Sequence, residues 1–136
     1  MKNRQIVIII DDSDSIREAA QGIAGSIGSD HNYSAVVIQA KDFSGNDLLP
    51  AYAFFLGCEK PKPPSFAYIE TLLQHINLAG RPSGVFSTDA KTLKYLSSLI
   101  NDCETVLGEP FLAKGDAANG EKLSQWVQDI LSNGKE

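Results

Sequence analysis

The chain has 136 residues, 43% hydrophobic and 21% charged, with twelve basic against seventeen acidic side chains and a net charge of −5. That is the size and composition of one globular domain with a real core. No basic stripe or cluster stands out, which argues against nucleic acid as a partner. The apolar run from Ile6 to Ile10 is too short for a signal-peptide core or a membrane span. Cys58 and Cys103 make neither a disulfide framework nor a CxxC pair, so a reducing cytoplasm is the expected setting.

Ile6 to Ile10 is five β-favouring apolar residues in a row, the pattern of a strand buried on both faces. A turn of acids and hydroxyls follows: Asp11, Asp12, Ser13, Asp14 and Ser15. From Ser15 to Gly28 the apolar residues Ile16, Ala19, Ala20, Ile23, Ala24 and Ile27 recur at helical spacing. Ser15 and Glu18 have capping-box spacing, and Gly28 is placed to end the helix. Gly22 and Gly25 each cost roughly 1 kcal/mol against alanine inside it, which points to close packing on the sheet.

Ala35 to Ala40 predicts a second strand, and residues 41–50 have room for little more than one helical turn. Tyr52 to Gly57 predicts a third buried strand. It runs into Cys58, Glu59 and Lys60, then a stretch to Pro64 whose prolines stiffen the loop and forbid regular structure. Ser65 to Leu78 predicts a helix with Tyr68 or Ile69, Leu72, Leu73 and Ile76 inward. Gly84 to Ser87 predicts strand four. Thr88 or Asp89 then caps a helix through Leu93, Leu96, Leu99 and Ile100. Thr105 to Ala113 predicts strand five, and Pro110 within it calls for a sheet edge because proline cannot donate to a ladder. Gly120 to Leu131 predicts the last helix, with Leu123, Trp126, Val127, Ile130 and Leu131 inward.

Strands alternating with helices predict a single α/β domain over 1–136: a three-layer, doubly wound, five-stranded parallel sheet of order 2-1-3-4-5. The acidic turn, the Pro-rich loop and the Ser87-Thr88-Asp89 triplet then share one rim, where a small-molecule site belongs. Asp11, Asp12 and Asp14, with Glu59 or Glu109, are hard oxygen donors of the kind Mg²⁺ takes; helix capping and dipole stabilisation account for the same acids without a metal. Cys58 reaches the rim but has no base assigned to it, since His31 and His75 lie in a loop and a helix. Cys58, Cys103 and Trp126 therefore read as core. Lys60 to Pro64 reads as a stiff connection that could also serve as a docking surface.

Ile76 to Thr88, Leu107 to Gly115 and Lys122 to Val127 resemble the segments that lead into strand four and close the fold in small flavodoxins. The resemblance implies FMN as cofactor, electron transfer as function and a redox partner protein. Carried over by position, Ser13 and Ser15 would be the hydroxyl contacts to the FMN phosphate, with Ser13 where that family has glycine and with Asp12 and Asp14 beside them. The loops from Glu59 and Lys60 to Ser65, and from Ser87 through Thr88 to Asp89, would enclose the flavin ring. Three carboxylates facing a phosphate make the expected FMN affinity weak at most, and the phosphate loop degenerate.

Val7 to Arg17 also resembles the opening strand and Mg²⁺-binding acids of response-regulator receiver domains, with Phe55 to Pro61, Ser87 and Leu107 to Phe111 at matching spacings. The phosphoacceptor position is Gly57 and the lysine position Glu109, so this resemblance implies a pseudo-receiver. The residues support no independent catalytic reaction. The leading expectation is a flavodoxin-like protein that is at most a weak FMN-binding electron carrier. The competing one is a non-enzymatic pseudo-receiver or a cofactor-free interaction module.

Overall fold

The computed structural model describes residues 4–28, 32–48, 50–76, 78, 80–101, 105–113 and 121–132. Strand β1 (Arg4–Ile10) lies in the middle of a parallel sheet, paired on one side with β2 (Tyr33–Gln39) and on the other with β3 (Ala53–Gly57). β4 (Pro82–Ser87) follows β3, and the fifth position holds two short pieces, β5 (Val106–Leu107) and β6 (Phe111–Leu112), both paired with β4. The order is therefore 2-1-3-4-5, as the alternation of elements predicts.

The apolar run of β1 works on both faces at once, because successive side chains of a strand point to opposite sides. Ile6, Ile8 and Ile10 pack under helices α1 (Asp14–Gly28) and α5 (Glu121–Ser132), against Ile16, Ile23, Val127 and Ile130. Val7 and Ile9 pack on the other side with residues of α3 (Ala67–Leu73) and α4 (Ala90–Ile100), among them Ile69, Leu73, Leu96 and Ile100. The helix α2 (Gly45–Leu48), one turn long, adds Leu48 to that second layer.

Several local expectations are corrected. Helix α1 starts at Asp14, one residue early, so Ser15 lies inside it and forms no capping box with Glu18. A Cβ on Gly25 would meet nothing within 4 Å, so this glycine does not serve close packing. The helix foreseen over 65–78 begins as a 3₁₀ turn at Pro64–Phe66 and ends at Leu73; of Tyr68 and Ile69, Ile69 faces inward and Tyr68 is exposed. β2 runs from Tyr33 and stops at Gln39, where Ala40 enters a 3₁₀ turn. The fifth strand breaks at Gly108, Glu109 and Pro110, since proline offers no N–H; the flanking Gly108 and Ala113 N–H groups still donate to Ser83 and Ser87. Thr88 does not cap α4. Asp89 does, its carboxylate accepting from Thr92 N–H at 3.2 Å. No helix among the described residues is long and apolar enough to cross a membrane. Cys103 and His31 lie outside the described residues.

Candidate functional site

The first turn folds around one carboxylate. Asp11, only 7% exposed, accepts from Ser13 N–H at 3.2 Å and Ser13 Oγ–H at 2.7 Å through Oδ1. Its Oδ2 accepts from Glu59 N–H at 2.9 Å. Ser13 also precedes α1 and accepts the first helical hydrogen bond, from Arg17 N–H, on its carbonyl. Ser15 donates its hydroxyl to the Glu59 carboxylate at 3.4 Å. Both hydroxyls expected to meet a phosphate thus meet carboxylates of the chain itself. Asp12 and Asp14 remain exposed around them, Asp14 paired with Arg17 at 3.0 Å.

The loops after β3 and β4 are tied directly to each other. Ser87 Oγ, fully buried, donates to the Cys58 carbonyl at 2.7 Å and accepts from Asp89 N–H. Thr92 Oγ1 donates to the Glu59 carbonyl at 3.1 Å. Thr88 is half-buried beside this seam and Lys60 is exposed beyond it. The two segments expected to enclose a flavin ring are therefore joined by hydrogen bonds where they meet. Asp12, Ser13, Ser15, Glu59, Ser87 and Asp89 do share one end of the sheet, as the topology requires; Ser15 bonds Glu59, Asp89 bonds Ser87 and Ser13 bonds Asp11, while Asp12 is exposed.

Open space lies on the other flank of the first turn. A cavity of about 260 Å³ is bounded by Ile10, Asp11 and Asp12, by Gln39, Ala40 and Lys41 after β2, and by Pro63, Pro64 and Ser65. Gln39 and Lys41 lie outside the expected site segments, whereas Pro63 falls within the loop from Glu59 to Ser65 expected to enclose a flavin ring. The only sequence signal for Gln39 and Lys41 was the rule that loops at the carboxyl ends of parallel strands converge. Gln39 Oε1 is buried with no hydrogen-bond partner among the described residues. Lys62, next to the prolines, adopts φ 53°, an uncommon backbone state for a residue with a side chain.

Cys58 is fully buried, and its Sγ–H donates to the Lys60 carbonyl at 3.3 Å. Burial first, and then the Asp11 charge, pushes its thiol well above the usual range. Such a thiol is inert. Trp126 is core, stacked on Phe111 at 4.9 Å and donating Nε1–H to the Glu109 carbonyl at 2.6 Å. Glu109 itself is exposed on the edge segment. Among the described residues there is no group of three or more His, Cys, Asp and Glu side chains placed to hold a metal. Gly57, the position of a receiver's phosphoacceptor, faces the Phe86 ring, and any Cβ there would run into it.

FMN is tested by these contacts, and the residues do not fit it. Its phosphate would need the N–H and hydroxyl donors that Asp11 already occupies. It would also sit beside Asp12 and Asp14. Unit charges about 6 Å apart at an effective dielectric of about 20 repel by roughly 3 kcal/mol. A helix N-terminus returns only about 1 kcal/mol.

No family model matches the chain, and no curated protein matches it. Solved structures do. A short-chain flavodoxin associated with a non-canonical PDU bacterial microcompartment superposes with a TM-score of 0.80 at 13% identity, covering 99% of this chain and 100% of that one. A flavodoxin from Streptococcus pneumonia gives 0.74 at 13% identity, covering 95% of each chain. Oxidised flavodoxin 2 from Bacillus cereus gives 0.73 at 16% identity, covering 95% of this chain and 96% of that one. The fold is flavodoxin-like.

Proposed function

We propose that this protein is a flavodoxin-like binding module with no resident flavin, which engages FMN weakly at most and acts by presenting its crevice end to another protein. The observation that carries this reading is the Asp11 carboxylate, which accepts from Ser13 N–H, Ser13 Oγ–H and Glu59 N–H. It is an internal anion where an external one would have to bind. The hydrogen bonds from Ser87 and Thr92 to the carbonyls of Cys58 and Glu59 support the same reading. The exposed Lys60 and Lys62 beside a proline-stiffened loop supply a surface of low conformational entropy for a protein partner.

A second reading, an FMN-dependent electron carrier serving a redox partner, is favoured by likeness to flavodoxins over nearly the whole chain. In that role the flavin would supply the redox chemistry and the chain its position and electrostatics. Absorption spectroscopy and gel filtration with added FMN separate the two. Colourless protein that releases FMN on the column and shows no thermal shift with it is the expected result. Yellow protein that retains stoichiometric FMN overturns the proposal.

A further inference from the structure

We infer that β2 is an association edge, at which two copies of this chain pair antiparallel about a twofold axis and join their sheets. β2 pairs with β1 on one side only and ends the sheet. The Arg4 N–H donates to the Asn32 carbonyl at 2.9 Å, which fixes the alternation along the strand. Ser34, Val36 and Ile38 turn their backbone groups to β1, and Ala35 and Val37 turn theirs outward. Such an outward row of donors and acceptors is a template for another extended strand, and edges are ordinarily blunted by charge, proline or brevity. The far edge of this sheet follows that rule, with two residues in β5 and two in β6, interrupted at Gly108, Glu109 and Pro110. β2 does not follow it: its seven residues, Tyr-Ser-Ala-Val-Val-Ile-Gln, include no charge, proline or glycine. None of them is buried, whereas every residue of β3 and β4 is, and Val37 is 36% exposed.

Charge and symmetry make the occupant a second copy. A chain of net charge −5 repels its own copy except where it presents no charge, and β2 is such a stretch. The same neutrality gives an acidic or basic partner nothing to select it by. The broken far edge cannot serve a head-to-tail contact, so β2 pairs with β2, and that isologous contact closes at two. With Val36 on the axis, each chain's Ala35 lies opposite the other chain's Val37, and the two exchange both backbone hydrogen bonds. Seven residues at about 3.3 Å each make a ladder of roughly 23 Å, at the low end of stable interfaces, so a micromolar dissociation constant is expected. The inference goes beyond the function proposed above and does not rest on it.

The test is sedimentation velocity on the full chain from micromolar to millimolar concentration, with amide hydrogen exchange over the same range. A monomer passing to a dimer and no further is expected, with exchange at Ala35 and Val37 slowing as concentration rises. Val37→Lys places a charge on the axis-proximal edge, and Val37→Pro removes an outward N–H without taking a bond from the β1–β2 ladder. Each should weaken dimerisation by about tenfold or more. Leu112→Lys, at an exposed side chain on the far edge, should leave it unchanged. A chain that stays monomeric throughout overturns the inference. So do assemblies larger than the dimer, dimerisation indifferent to both Val37 variants, or an equal loss in Leu112→Lys. No flavin is used, so the outcome is separate from the FMN experiment.

Discussion

The Glu59 N–H, 48 positions along the chain from Asp11, donates to the Asp11 carboxylate at 2.9 Å and locks the loop after β3 onto the turn after β1. The same carboxylate holds Ser13, so one side chain organises both halves of the rim. Asp11→Ala leaves the Ser13 and Glu59 N–H groups without their acceptor in a largely buried place. A loss of about 1–3 kcal/mol is expected, read as a lower urea midpoint at unchanged slope.

Relief of charge at the turn should favour phosphate. Asp12→Thr, which removes an exposed carboxylate from the helix end, is expected to tighten FMN binding by about tenfold or more, measured by quenching of flavin fluorescence. An unchanged or weaker affinity would show that repulsion at this turn is not what limits binding.

Gly57 is a packing glycine beneath Phe86. Gly57→Ala should cost about 1–3 kcal/mol through overpacking, and Gly57→Asp should cost more without gaining phosphorylation by acetyl phosphate. The checks are chemical denaturation and intact mass. The double variant Gly57→Ala with Phe86→Leu should recover part of the loss.

The Cys58 thiol keeps its proton in the fold at pH values where an unfolded chain loses it, because burial and Asp11 both disfavour the thiolate. The unfolded state therefore binds fewer protons above its own thiol pKa, about 8.5, and stability falls as pH rises past it. The slope is at most about 1.4 kcal/mol per pH unit. Tyr95, raised by burial and by its hydrogen bond to Glu70, adds to the decline above about pH 10. Cys58→Ala should flatten the curve between about pH 8.5 and 10, and the native thiol should resist iodoacetamide until the protein unfolds.

Trp126, the single tryptophan, joins α5 to strands β3 and β4 through Phe55 and Phe86 and to the edge of the sheet through Phe111 and the Glu109 carbonyl. Trp126→Ala should cost about 3–5 kcal/mol. Trp126→Phe should cost less, with the lost indole hydrogen bond as most of the difference, both read from denaturation midpoints.

The strand order, the inward faces of α1 and α5 and the edge position of Pro110 were legible in the sequence. Each follows from a periodicity or a backbone rule that acts over a few residues: Ile6 to Ile10 can only be a strand covered twice, and Pro110 can only interrupt an outer ladder. The convergence of the acidic turn with the Glu59 and Ser87 segments was legible too, from topology alone. What the tertiary structure decided is how those segments use their polar groups. Ser13 and Ser15 carry the same hydroxyls whether they face a ligand or a carboxylate. The choice rests on Asp11 accepting from Ser13 at 2.7 Å within the turn and on the Glu59 carboxylate accepting from Ser15 at 3.4 Å, the latter brought to the turn by the β1–β3 pairing. The cavity is likewise a product of packing: Gln39 ends a strand and Lys41 and Pro63 sit in connections of the linear chain, and only the ends of three parallel elements, brought side by side, turn them into a wall.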